Sequence, residues 1–511
     1  MRYGFAIDQR TCIGCHACTV ACKTEHEIPI GQFRTWVKYV DKGTFPDSTR
    51  EFGVMRCNHC TDAPCVKICP TQSLFTRPDG IVDFDGERCI GCKSCLQACP
   101  YDALYIDEDT HTAAKCNFCA HRVDSGLEPA CVVVCPTHSI WVGDLDDETT
   151  GISRLIAEHP VTVRSPEQKT GPNVFYLGAD RAVLDPLAAP VDESYVWSTP
   201  DAQRAELAEL AGTLPAGSPR TTLNTAHPRP WGWRVTTYLW TKAVGAGALL
   251  VAALAWFLGI DLGIVHSLVA PALAVVMTAA TGVLLVFDLK RPERFHYIFL
   301  KPNPTSWLFW GSVALAAFAA VAGLWLVAGI VAETTSYDVD PLFTVLSWLA
   351  VPTGVMAAGY SAFLFGQAEG RDLWQSPLLL PQLVVQAVMV GSGALAVVGT
   401  VVPYAEDAAT LLVRTFVTST VLFVLLTLAE YFRPHPTAHA KAAARLVTHG
   451  RYAAAFWGVA IGGALFCVAL AAPSWDGAPL ATVVLAGLVA QGALLTYESV
   501  FVRAGQDIPL S

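Results

Sequence analysis

Cys89-Ile-Gly-Cys92-Lys-Ser-Cys95-Leu-Gln-Ala-Cys99-Pro100 is the stretch on which the reading of this chain of 511 residues turns. Its spacing of two, two and three intervening residues, closed by a proline, comes back three more times with variations. Cys12, Cys15, Cys18 and Cys22 repeat it, with Lys23 where the proline would stand. Cys57, Cys60, Cys65 and Cys69 stretch the middle gap to four residues, and Cys116, Cys119, Cys131 and Cys135 stretch it to eleven. Pro70 and Pro136 follow the last cysteine of these two groups.

Two cysteines separated by two residues in a tight loop aim both sulfurs at one inorganic cluster, and a third nearby completes a cap on three irons. The fourth thiolate, carried on a following helix, usually ligates the other cluster of a pair, and proline keeps the chain from crowding it. Gly14 and Gly91 lie inside such loops, where a residue without a side chain lets backbone N–H groups approach the sulfides. Zinc explains paired C-x2-C units but not four tetrads with this grammar. Disulfide frameworks belong to small secreted domains, and Met1–Arg10 runs straight into the first motif with no signal-peptide pattern, so no export signal is expected. All sixteen cysteines are therefore candidate ligands, and the simplest count is four 4Fe–4S clusters. The groups also nest, with the first and last flanking the middle two. A two-cluster unit inserted between the halves of another produces that order.

Residues 1–145 resemble the four-cluster iron–sulfur subunits of molybdopterin oxidoreductases of the DMSO reductase and polysulfide reductase kind. The resemblance implies that the outer groups exchange their last cysteines and that the inner groups do the same. Cys12, Cys15, Cys18 and Cys135 would then hold one cluster, and Cys116, Cys119, Cys131 and Cys22 the next. Cys57, Cys60, Cys65 and Cys99 would hold the third, and Cys89, Cys92, Cys95 and Cys69 the fourth.

The rest of the chain is of another kind. Overall 53% of residues are apolar, 15% are charged and the net charge is −10. That charge excludes a nucleic-acid binder held by bulk positive potential, and so little charge is unlike a water-soluble globule. Residues 1–219 hold 16 of the 17 cysteines and 19 of the 34 Lys and Arg, whereas residues 220–511 hold nearly all the long apolar runs. Residues 146–230 read as an extension that straps onto the cysteine-rich body and crosses to the membrane. Within it Tyr195–Gly212 is mildly helical and Leu214–Pro230, with its prolines, reads as a linker. From Trp231 onward eight apolar stretches are long enough to cross a hydrocarbon core, which needs about 20 residues. They run over 235–260, 264–287, 307–331, 342–366, 377–402, 408–429, 453–472 and 479–502. Gly245, Gly247, Gly391, Gly393, Gly462 and Gly463 suit close helix packing in lipid.

Lys and Arg fall on one side of these spans. Arg220, Arg229, Arg234 and Lys242 precede the first span; Lys290, Arg291, Arg294 and Lys301 follow the second; Arg371 follows the fourth. Arg433, Lys441, Arg445 and Arg451 follow the sixth, and Arg503 lies in the tail. The opposite loops carry acids, among them Glu333, Asp338, Asp340, Glu406, Asp407 and Asp476. This bias predicts that both termini and the cysteine-rich body face the cytoplasm of a bacterial or archaeal cell membrane. Arg414, inside the sixth span, is a poor anchor and reads as a partner for an acid or part of an outer proton route. Cys467 reads as a small packing residue.

Asp288-Leu-Lys-Arg-Pro-Glu-Arg-Phe-His-Tyr-Ile-Phe-Leu-Lys-Pro-Asn-Pro-Thr-Ser-Trp307 joins spans two and three. It resembles the D-L-G-R-P-x-R-F segment of NrfD-type membrane subunits of polysulfide reductases, with Lys290 where glycine is usual; Phe456–Trp457 and Arg503-Ala-Gly-Gln are weaker matches. The resemblance implies a quinone-interacting domain without haem, and no spans present facing histidine pairs for one. A quinone site needs hydrogen-bond donors, a proton supply and lipid access, and ionisable groups at membrane depth are the natural candidates. Lys242, Asp288, Arg291, Arg294, His296 and Tyr297 lie near the face where the clusters would dock, and Glu430 and Glu498 end their spans on that face.

The expected architecture is an α+β ferredoxin-like iron–sulfur domain (1–145), an extension (146–230) and an all-α membrane bundle of eight helices (231–511). The two resemblances imply a fused electron-transfer and membrane-anchor subunit carrying electrons between a separate molybdopterin-containing catalytic subunit and membrane quinone. No second catalytic constellation and no molybdopterin site is legible. A membrane-anchored iron–sulfur sensor and an ion-translocating subunit are the rival readings. Sulfite, formate and nitrate are the partner substrates that a cytoplasmic placement favours.

Overall fold

The computed structural model describes residues 1–191, 215–225, 229–475 and 481–511. The helical stretch expected over Tyr195–Gly212 lies outside them.

Tyr3–Asp8 is an inner strand of a four-stranded sheet, antiparallel to Ile140–Asp144 and parallel to Val174–Leu177, with Val161–Thr162 at the far edge. Alternation along the strand serves two cores. Phe5 and Ile7 pack with Val174, Tyr176, Cys18 and Cys131, while Ala6 turns to the other face with Ile152 and Leu177. Residues 161–177 thus complete the sheet, and the iron–sulfur body runs well past the boundary expected at residue 145. These strands are two and four residues long, too short to show a period-two pattern, and the longer one pairs with a strand about 170 residues away in sequence. Arg220–Leu223 adds an edge to the hairpin of Thr35–Thr44 and Asp47–Arg56.

Each cysteine group builds the same local unit. A loop holds the first two sulfurs and a short helix takes the third, as in Ala17–Glu25, Pro64–Ile68, Ser94–Ala98 and Ala130–Val133. Gly14 (φ +66°) and Gly91 (φ +68°) take the left-handed conformation the loops require.

Among the described residues, eight helices are long and apolar enough to span a membrane: Trp233–Phe257, Val265–Asp288, Trp307–Thr334, Asp340–Gln367, Leu379–Val398, Glu406–Phe432, Ala455–Ser474 and Ala481–Asp507. The first is the most enclosed. It crosses the fifth at Gly247, where a Cβ would collide with the Ala387 carbonyl, and Gly391 sits against the same crossing. The fifth crosses the eighth where Gly393 meets Gly487. Gly462 meets only its own helix at Trp457, so it is not a crossing point. Lys242, counted above among the loop cations, lies nine residues inside the first helix and is 2% exposed. Cys467 is buried and donates to the Ala486 carbonyl at 3.1 Å. Arg414 is exposed, over the Trp475 ring and donating to its carbonyl at 3.3 Å.

Candidate cluster sites and membrane cavity

All seventeen cysteines are free of disulfides, and sixteen of them gather in four sets. Cys12 lies by Cys15 and Cys135, and these line a small hollow with Cys18. Cys22 feels Cys116, Cys131 and Cys119. Cys65 feels Cys99, Cys57 and Cys60, and Cys95 feels Cys92, Cys89 and Cys69. These are the exchanged fours that the ferredoxin resemblance implies. The helix carrying each third cysteine delivers the fourth beyond the reach of its own loop and toward the neighbouring set.

Does a cluster fit? Burial pushes the Cys18 and Cys119 thiols up to about 12, so they would not ionise at neutral pH without a metal to bind. Backbone N–H groups point at sulfur at Cys57 (from His59, 3.5 Å), Cys89 (from Gly91, 3.4 Å, and Ala113, 3.3 Å) and Cys135 (from Ser139, 3.2 Å). Arg56 is fully buried and donates to the Cys131 sulfur at 3.3 Å, while its Nε and second terminal nitrogen have no partner. A buried cation with idle donors beside cysteines of two sets suits an anionic group. Lys115, also fully buried, puts its charge beside Cys57 and Cys116. The sets fit 4Fe–4S clusters, which would supply one-electron carriers.

The sets form a line. Cys18 neighbours Cys131, Cys57 neighbours Cys116, and Cys65 neighbours Cys95. At one end Cys15 is exposed. At the other, the membrane domain grips the loops. Lys290 and Arg291 donate their backbone N–H groups to Gly91 and Ile90, each at 3.2 Å. Gly370 donates to Ala98 at 3.1 Å, and the Asn303 side chain donates to the Cys69 carbonyl at 2.8 Å.

Beneath this end lies a cavity of about 220 Å³. Cys92, Ser94, Trp231, Tyr238, Asp288 and Tyr360 supply its polar wall, and residues of spans two and three supply an apolar one. The Ser94 hydroxyl is buried without a partner. The volume suits a ring headgroup and not a whole lipid-soluble molecule, and exposed Phe295 and Phe299 at the rim leave an apolar exit for a tail. Asp288 pairs with Lys93 at 2.7 Å and also borders a larger cleft between the two domains.

The sequence candidates divide sharply. Asp288 lines the cavity, but the other seven do not. Arg291 is held by the Thr110 carbonyl at 2.8 Å, and Arg294 by the carbonyls of Gly86 (2.8 Å) and Cys89 (3.0 Å). Their guanidinium groups clasp the iron–sulfur body and stand outside the cavity. His296 is exposed against Tyr297, whose ring also takes the Lys301 ammonium. Glu430 accepts from Ser376 and pairs with Arg433 at 3.3 Å. Lys242 and Glu498 are buried behind the cavity wall. Sequence reasoning missed Lys93, Ser94, Trp231, Tyr238 and Tyr360. Lys93 lies inside the quoted cysteine motif, and Trp231 and Tyr238 sit at the start of the first span, so proximity to the predicted docking face was the available signal. Tyr360 had none.

Comparison with known proteins finds two families in the chain. Residues 49–145 match the 4Fe-4S dicluster domain family, and residues 221–508 match the family described as polysulphide reductase, NrfD. The N-terminal part is 46% identical over 190 residues to a tetrathionate reductase subunit of Salmonella typhimurium, covering 36% of this chain and 76% of that protein. It is 38% identical over 187 residues to a polysulfide reductase component of Wolinella succinogenes, covering 36% and 98%. It is 35% identical over 225 residues to the iron–sulfur subunit of the arsenate respiratory reductase of Shewanella sp., covering 35% and 96%.

Proposed function

The chain belongs to the polysulphide reductase NrfD family, fused to a 4Fe-4S domain, and from that premise we propose that it passes electrons between a separate molybdopterin-containing subunit and membrane quinone. Four clusters would be held by the four cysteine sets. The related proteins are named as reductase subunits, and the described residues present no substrate-converting site of their own, which supports a catalytic partner at the end where Cys15 is exposed. The fusion keeps two parts of such a complex at fixed stoichiometry and in fixed contact.

The observation that carries the reading is one cavity walled by both halves. Cys92, a ligand in the last set, and Asp288, at the end of the second span, border the same 220 Å³ space. A headgroup there would stand within electron-transfer distance of the nearest cluster and beside a carboxylate able to orient a donor or carry a proton. The loop charges support a cytoplasmic iron–sulfur body, because the cation-rich loops are those that grip it.

The test is Asp288→Asn in the full chain. Iron and sulfide content and reduction by dithionite should stay at wild-type levels, while electron transfer from a quinol should fall by about 10²-fold, the contribution of a positioned proton carrier. Wild-type quinol rates in a properly inserted variant would rule out this cavity.

A further inference from the structure

Behind the cavity, two opposite charges are buried inside the membrane domain. Lys242 and Glu498 are each 2% exposed. Each stands nine residues inside its helix from the iron–sulfur side, at 1.5 Å per residue about 14 Å deep. Lys242 donates to the Ala358 carbonyl at 2.8 Å and to the Ser361 hydroxyl at 2.7 Å, and its ammonium lies 4.6 Å from the centre of the Tyr360 ring. Ser361 is also within reach of the Tyr238 and Tyr360 hydroxyls, and both tyrosines line the cavity. Among the described residues, the acid whose charge Lys242 feels is Glu498, which stands farther off than an ion pair.

Two opposite charges buried in one lipid-embedded bundle are costly, and apolar residues of similar volume would pack there at less expense. Such a pair has one property that an apolar pair lacks. It takes up or releases a proton with no more than a unit change in charge.

We propose that Lys242 and Glu498 form an internal proton-exchange site serving the cavity through Tyr238, Tyr360 and Ser361. The inference rests on the quinone reading of the cavity. Oxidation of one quinol there releases two electrons, which leave by the cluster nearest Cys92, and two protons. One proton passes to Asp288, already paired with Lys93 and bordering the interdomain cleft. The other passes by the tyrosine and serine hydroxyls to the Lys242–Glu498 pair. Reduction runs the same path backwards, with two electrons and two protons entering. Around them stand Tyr238 from the first span, Tyr360 from the fourth, Tyr431 and Glu430 from the sixth and Tyr497 from the eighth, with Asp288 of the second span on the other side of Tyr238. The fifth span contributes Gln382, which donates to Tyr497 at 2.6 Å, and one turn on Gln386, whose buried amide has no partner at either atom.

The experiment uses the full chain in detergent, with menadione and menadiol as probes. Glu498→Gln and Lys242→Met should keep wild-type iron content and menadione quenching of tryptophan fluorescence. Bleaching of the clusters by menadiol should slow by about 10²-fold, with an altered pH profile. Reduced-minus-oxidised infrared spectra of the wild type should contain a protonated-carboxyl band that Glu498→Gln removes. Wild-type bleaching rates and pH profile in both variants overturn the proposal, as does loss of menadione quenching, which would make these residues part of the binding wall. If neither variant assembles, the wild-type spectrum decides, since the absence of any carboxyl band overturns the proposal. A wild type that neither binds menadione nor is bleached by menadiol defeats the quinone reading itself, and the proton site with it.

Discussion

Arg56 has no exposed surface, touches the Cys131 sulfur, lies 4.4 Å from the Phe5 ring centre and feels Cys116 and Cys18. An unpaired guanidinium in such a place would be destabilising, so its presence implies anions on several sides. With clusters bound, its charge favours their more negative, reduced state. Arg56→Met should therefore lower the reduction potentials of the first two clusters by on the order of 100 mV. That is the one-electron equivalent of about 2 kcal/mol for a unit charge at about 8 Å and an effective dielectric constant of 20. Arg56→Lys should keep most of the wild-type value. A redox titration followed by electron paramagnetic resonance measures both, and unchanged potentials in Arg56→Met would remove this role. Gly91 illustrates a second kind of residue-scale constraint. Its φ of +68° serves the cysteine loop, and a Cβ there would also stand 2.5 Å from the Lys290 Cβ, so the position serves docking as well.

Among the elements, the segment from Asp288 to Trp307 is the hinge of the design, because its backbone and arginines hold the fourth cysteine set against the bundle. The first span works from beneath, presenting Tyr238 to the cavity and Lys242 one turn deeper. Its position depends on Gly247. A methyl group there has no space between helices one and five, and the obstacle is the Ala387 backbone, which cannot rotate away. Gly247→Ala should cost about 1–3 kcal/mol, as overpacking does, and lower the thermal midpoint of the detergent-solubilised protein. Gly323→Ala, where nothing lies within 4 Å, should leave the midpoint unchanged or raise it. Equal effects at the two positions would show that helix propensity and not the crossing decides.

Taken whole, the molecule is a graded path. It begins at an exposed cysteine set, runs through buried sets flanked by Arg56 and Lys115, and reaches a cavity at the edge of the bundle. The loops that grip the iron–sulfur body carry the Lys and Arg, and the far loops carry Glu333, Asp338 and Glu406. A reporter active only in the cytoplasm should be active when fused after Ser511 and silent when inserted at Asp338. The opposite pattern would invert the whole path across the membrane.

The cysteine spacing alone pointed to iron–sulfur clusters, because three of the four donors in each set lie close together in sequence, whereas the fourth comes from a distant group that the fold brings near. Apolar length likewise determined eight spans, since lipid demands about 20 residues whatever the neighbours do. The charge bias picked out which loops meet the iron–sulfur body, and Asp288 was found because a rare acid ended an apolar run. Everything that depends on residues far apart in sequence was decided only by the tertiary structure. Val174–Leu177 joins the body by pairing with Tyr3–Asp8, and Val161–Thr162 by pairing with Val174–Leu177, and no local pattern announces the first of these. Arg291 and Arg294 looked like ligand donors until the fold supplied carbonyls for them to hold. Tyr360 sits in a span whose residues are mostly apolar, and only the packing of the fourth helix against the first turns it toward the cavity and Lys242. Local chemistry is written in spacing, whereas a cavity is the space that several distant elements leave between them.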